Sequence, residues 1–212
     1  MDPKHTYYEH RAETVIKNLK KRNMEGFYCA TAAEACEKAM SLIRSGESVS
    51  FGGSMTIEEC GILDALRRRD DIVLYDRATA KNAEELGAIF RQAFSADTYL
   101  MSTNALTLDG ELINIDGNGN RVAALMFGPK QVIIVAGMNK IVSTQEEGIR
   151  RARNMAAPPN CVRLAKNTPC ATTGRCHDCC GPETICNHTV VTRHCRDNGR
   201  INVILVGEEL GY

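Results

Sequence analysis

Residues 48–59 read SVSFGGSMTIEE. SVSF is a short strand-like run, two glycines follow, and Thr56 with Glu59 three residues on has the form of a capping box that opens a helix. A strand passing through glycine straight into a helix is the building unit of parallel α/β sheets. The alternation extends in both directions. The spacing predicts a helix over 6–23 with Val15, Ile16 and Leu19 on its apolar face, ended by Gly26, and then the strand FYCA (27–30). Thr31 and Glu34 form a further capping box and open a helix to about Ser45. Beyond the helix that runs from Thr56 to about Arg69 come the strand DIVLYD (71–76), a helix over 79–94 and the strand DTYLMS (97–102).

The middle of the chain breaks this rhythm. ALTLDGELINID (105–116) is two short runs around Asp109-Gly110, a strong hairpin signal. A short helix, NRVAALMFG (120–128), and a buried strand, QVIIVAG (131–137), follow. Ser143 and Glu146 make a third capping box for a helix over 143–156, which Pro158 and Pro159 are expected to end. INVILVGEELGY (201–212) returns as a last apolar strand. These elements predict one α/β domain over 1–212, with an open, mostly parallel sheet and helices on both faces. A small cysteine-rich lobe, 160–195, is inserted before the final strand.

The 212 residues suffice for one well-cored domain. Lys plus Arg and Asp plus Glu balance at 26 each, so no excess charge points to nucleic acid or an anionic membrane. No apolar run approaches the ~18 residues of a membrane span, and MDPKHTYYEHRAE has no signal-peptide core. The expected setting is cytoplasmic, where clustered thiols point to metal or redox chemistry ahead of disulfides. A homodimer is the expectation from base rates alone.

Three stretches could carry chemistry. In FGGSMT (51–56), Gly52 and Gly53 let a ligand approach the backbone, and Ser54 and Thr56 add hydroxyls; a phosphate or carboxylate would fit, as would a plain strand-to-helix turn. The second is TNALTLDGELINIDGNGNR (103–121), with Asn104, Asp116, Gly117, Gly119, Asn120 and Arg121. Its Asn, Asp and Gly suit turns, but Arg121 opens a helix, where the dipole disfavours a cation and an anionic ligand beside it would explain one. Lys140, just past a strand, could reach a phosphate or stand solvated in a loop. The third is PCATTGRCHDCCGPETIC (169–186), which holds five of the ten cysteines. Cys170, Cys176, Cys179 and Cys186 could supply four thiolates to zinc or to an iron–sulfur cluster, and the spacing does not decide between them. Cys180 could replace Cys179, and Cys195 or one of His177, His188 and His194 could stand in for Cys186. A redox pair at Cys176/Cys179 and thiols packed against the sheet are the alternatives.

Taken together, FGGSMT and TNALTLDGELINIDGNGNRVAALMFGPKQVIIVAGMNKIV resemble the LUD domain, the lactate-utilization family that includes LutC-like proteins. TPCATTGRCHDC, ICN and the closing VILVGEELGY resemble a cysteine-containing subgroup of it. The resemblance implies the fold type of ribose-5-phosphate isomerase, glucosamine-phosphate deaminase and CoA transferases. It also implies membership of a system that oxidises L-lactate to pyruvate beside iron–sulfur redox partners, and a small anionic ligand. CoA transferases of that fold use a glutamate nucleophile, but Glu111 lies at a hairpin turn and is not assigned the role. Two further readings stay open. One is an independent enzyme of the sugar-phosphate isomerase, CoA-transferase or folate-ligase type, using Asp109, Glu111 or Asp116. The other is a non-catalytic partner protein stapled by zinc.

Overall fold

The computed structural model describes residues 2–212; Met1, the first residue of the expected domain, lies outside them. Six parallel strands form the main sheet: β1 (Glu25–Cys29), β2 (Ser48–Phe51), β3 (Val73–Tyr75), β4 (Thr98–Met101), β7 (Gln131–Gly137) and β10 (Ile201–Val206), in the order β1-β10-β7-β4-β2-β3. A second, four-stranded sheet is built from β5 (Ala105–Thr107), β6 (Leu112–Asp116), β8 (Ile141–Val142) and β9 (His188–Thr192), in the order β8-β5-β6-β9. The protein is thus α/β, with a parallel sheet covered on both faces.

The apolar runs of β7 and β10 explain that cover. Val132 and Ile134 of β7, with Val203 and Leu205 of β10, point into a core with Val15 and Leu19 of α1 (Pro3–Lys20) and Leu125 of α6 (Asn120–Met126). Their neighbours Ile133, Val135, Ile204 and Val206 point the other way, onto Ala35 and Ala39 of α2 (Ala32–Ser41), Ile57 of α3 (Met55–Glu59) and Leu66 of α4 (Ile62–Arg67). A strand buried on both faces has no polar side to show, so it reads as a continuous hydrophobic run.

Several boundaries move from the sequence expectation. The first helix stops at Lys20, Asn23 takes the left-handed turn (φ 57°), and Gly26 lies inside β1. Ser54, not Thr56, caps α3, accepting from the Ile57 N–H at 3.4 Å. Likewise Thr144 caps α7 (Gln145–Arg151), and Glu147 accepts from the Ser143 N–H, so this box sits one residue later than Ser143/Glu146. Pro158 and Pro159 do not end the helix. A π-helical turn over Ala152–Ala156 carries the chain into α8 (Ala157–Arg163), where both prolines fall in a first turn that needs no N–H from them. Within the 160–195 stretch, α9 (Pro169–Thr173) and β9 are regular, and β9 pairs antiparallel with β6. Among the described residues no helix is long and apolar enough to cross a membrane.

Candidate functional site

Strands β2, β4 and β7 are neighbours, and the chain leaving each one turns into the same cleft. Gly52 to Thr56 follow β2, Ser102 to Asn104 follow β4, and Lys140 follows β7. This is the end of an open α/β sheet at which ligands bind. The cavity has a volume of about 400 Å³. The end of β6 adds Asp116 and Gly117, α6 adds Asn120 and Arg121, and α8 adds Asn160 and Arg163. Of the eleven binding residues expected from sequence, Gly119 alone stays off the cleft wall. It starts α6 with φ 82°, gives its N–H to Asp116 Oδ1 at 2.9 Å and lies against the His188 ring, so its role is a turn.

Arg121 has a partner inside the protein. Its Nε stands 3.2 Å from Asp116 Oδ2. Its other nitrogens donate to Asn114 Oδ1 (2.6 Å), the Ile115 carbonyl (2.8 Å), Asn104 Oδ1 (3.2 Å) and the Ser102 carbonyl (3.2 Å). The cation at the start of α6 is therefore answered by an internal carboxylate, which corrects the expectation that an anionic ligand would explain it. Burial pulls the guanidinium below its usual range while Asp116 pulls it back, and with five polar partners it stays charged. This clamp ties β4, β6 and α6 into a rigid cleft floor. Above it, Tyr99 of β4 points its hydroxyl toward Gly52, 3.2 Å from where a Cβ would stand, and burial raises that phenol to about 12.

Lys140 is not a solvated loop lysine. It is 3% exposed, and its Nζ donates to Thr56 Oγ1 (2.7 Å) and Ser102 Oγ (3.0 Å). Burial, then the Arg151 charge, push its amine down to about 7. Arg151 was not singled out from sequence. It is buried, and its guanidinium donates to the carbonyls of Asn139 (3.0 Å) and Asn104 (2.6 Å), holding both cleft loops. Its only sequence signal is a basic residue on the inward face of an amphipathic helix. Arg77 was missed too. It follows β3 and lies against Gly53, where an added Cβ would come within 2.6 Å of its Nη1. The wall thus carries Arg77, Arg121, Lys140, Arg163 and Lys166, against Asp116 as the one acidic side chain among the described lining residues.

Of the carboxylates weighed as catalysts, Glu111 and Asp109 do not line the cleft. Glu111 accepts from Gln145 Nε2 at 2.8 Å and faces Arg22 at 3.5 Å, and Asp109 is exposed at the hairpin turn, where its backbone carbonyl accepts from Arg22 Nε.

The cysteines divide into two sets. Burial and the neighbouring thiols Cys161, Cys176, Cys170 and Cys179 raise the Cys186 thiol to about 11. Cys161 on α8 thus joins the four thiols expected from spacing, with its Sγ 3.7 Å from that of Cys170. It was missed because it lies outside the dense motif, eight residues before Pro169. Cys180 is exposed, and Cys195 is buried in the α1 core with its N–H on the Arg22 carbonyl. Among the described residues, no three His, Cys, Asp or Glu side chains stand together as formed metal ligands. Cys186 and Ile185 also line the cleft, and the Ile185 backbone packs on Gly117, 3.3 Å from where a Cβ would stand. The lobe therefore forms one wall of the cleft.

Fold and cleft define an α/β protein with a cationic pocket at the carboxyl ends of its parallel strands. The LUD-domain family model matches residues 12–206, and the chain belongs to the LUD-domain family. It is similar to the crystal structure of a DUF162 family protein from Deinococcus radiodurans, at 16% identity over 95% of this chain and 98% of that one, with a TM-score of 0.49. It is also similar to eIF2B beta from Chaetomium thermophilum, at 18% identity over 53% of this chain and 43% of that one, with a TM-score of 0.34. No curated protein shows a significant match.

Proposed function

We propose that the protein binds a small organic carboxylate in this cleft as a LutC-like component of an organic-acid oxidation system of the lactate-utilization type. The charge of the wall carries the reading. Of its five basic side chains only Arg121 has a carboxylate partner among the described residues. Arg77 and Lys166 are half-buried and lack such a partner, and positive charge in that setting favours an anionic ligand. The glycine turn beside Arg77 leaves room for one to reach the backbone. The distance of Asp109 and Glu111 from the cleft wall, and the pairing of Asp116 with Arg121, count against a carboxylate-driven isomerase or transferase.

The thiol set belongs to the same proposal. Cys161, Cys170, Cys176, Cys179 and Cys186 offer soft ligands for zinc or an iron–sulfur cluster, which would supply a fixed charge and a crosslink to a loop with little apolar cover. Binding would draw the sulfurs closer together than they stand here. The expected partners are iron–sulfur redox proteins, in a cytoplasmic setting, with the chain as the cysteine-containing type of its family.

Calorimetric titration with L-lactate, pyruvate, inorganic phosphate and acetyl-CoA tests the anion site. Saturable binding of lactate or pyruvate, weakened at least about tenfold by Gly53→Val with no change in Tm, is the expected result. Binding of none of these anions, or equal loss of affinity and Tm, overturns it.

A further inference from the structure

Lys140 closes the 3₁₀ turn Met138–Lys140 after β7, buried, with its Nζ on the cleft wall. No carboxylate pairs with it among the described residues. Its two hydrogen-bond partners are committed elsewhere as donors: Thr56 Oγ1 gives its proton to the Leu210 carbonyl (3.3 Å), and Ser102 Oγ to the Thr103 carbonyl (3.4 Å). Both hydroxyls therefore accept from Nζ and give no proton back. A neutral NH₂ fills that arrangement and keeps its lone pair; an ammonium would leave a third N–H without a protein acceptor. The charged groups facing the amine come from several elements. Arg151 of α7 and Arg121 of α6 disfavour its protonation, while Glu59 of α3 and the Cys60 thiol beyond it act in the opposite sense. A desolvated lysine beside other cations is the setting in which an amine becomes a nucleophile for carbonyl carbon.

We infer that Lys140 captures the ketone of a small 2-oxo acid as an imine, with the acid's carboxylate held on the cationic, glycine-lined wall of the cleft. This rests on the anion-binding reading and deepens it by naming the substrate class. The Gly52–Gly53 turn and Lys140 line the same cleft, joined through Thr56, whose hydroxyl touches Nζ, so an acid with its carbonyl next to its carboxylate can reach both. In the step, the Nζ lone pair forms a C–N bond while the carbonyl π pair moves to oxygen. That oxygen takes both amine protons and leaves as water. A C=N bond remains, and nothing is oxidised or reduced. A 2-hydroxy acid can occupy the same cleft but cannot form this bond.

The test incubates the full chain with pyruvate and sodium borohydride, followed by intact-mass measurement and peptide mapping. The expected product is a single adduct at Lys140, heavier by one pyruvic acid less one oxygen atom, and absent from Lys140→Met and from wild type given L-lactate. From about pH 6 to about pH 8 its initial rate should rise about tenfold, as for an amine titrating near neutrality, whereas an ordinary surface lysine gains about a hundredfold. Parallel calorimetry with L-lactate separates the two ideas. Lactate or pyruvate binding without a Lys140 adduct overturns the imine and leaves the anion site standing. Equal labelling of wild type and Lys140→Met also overturns it. No binding of either acid removes both. Thermal melting of Lys140→Met, and trapping in the milder Ser102→Ala variant, whose rate should fall, guard against misreading a folding defect.

Discussion

The floor of the cleft and the cysteine lobe are its two polar walls, and they are held in opposite ways. The floor is buried and internally answered. Arg121 alone binds Asp116, two asparagine oxygens and two carbonyls, and Arg151 pins two more carbonyls. In the lobe, residues 174–187 have neither helix nor strand, and several thiols share one neighbourhood with few hydrogen bonds. The polar tethers of this segment to the body are single contacts: Arg153 with Asp178, the Cys176 N–H to Asn154 Oδ1, and Asn187 Nδ2 to the Gly117 carbonyl. A satisfied buried network is rigid without help. A loop of small and polar residues depends on a bound crosslink to become so.

Breaking the floor should have the largest effect. Asp116→Ala leaves Arg121 charged and buried without its carboxylate, and should cost about 3–5 kcal/mol of stability in urea unfolding. An effect below about 1 kcal/mol would mean that the floor is no better organised than the lobe.

Lys140→Met acts on the same floor with the opposite sign. It removes an unpaired buried amine and should stabilise the fold by about 1–4 kcal/mol near neutral pH. The sign follows from the lowered pKa of about 7. Between that value and the ordinary lysine range the unfolded chain binds more protons than the folded one, so wild-type stability rises with pH across this window. The advantage of Lys140→Met should therefore shrink as the pH is raised toward about 10. A pH-independent difference in urea midpoint would show that Nζ is not desolvated.

The lobe should respond to metal. Cys161→Ser and Cys186→Ser should each lower bound zinc or iron, measured after anaerobic purification, while Cys180→Ser and Cys195→Ser leave it unchanged. A chelator should lower the Tm of wild type and not that of Cys186→Ser. Equal metal content in all four variants would break the division of the thiols drawn here.

The smallest expected effect is at Gly53. Gly53→Ala displaces only the mobile end of Arg77, so stability should change by less than about 0.5 kcal/mol while carboxylate affinity falls a few-fold. A matching fall in stability would make the glycine turn structural.

Much of this molecule was legible along the chain. Periodicity and caps placed the strands of the main sheet, because a strand buried on two faces and a helix buried on one leave different marks in sequence. FGGSMT and the Asn104–Arg121 segment were visible because glycine, asparagine and aspartate crowd where the backbone turns. Sequence alone could not tell whether Lys140 was buried or solvated, that Arg121 answers Asp116, or that Cys161 joins the lobe thiols while Cys180 and Cys195 do not. Nor could it bring Arg77 and Arg151 to the same cleft. Burial and pairing are relations between residues far apart in the chain, created when β2, β4 and β7 are laid side by side. Local pattern carries the elements; only their packing sets the dielectric and the partners that give each side chain its chemistry.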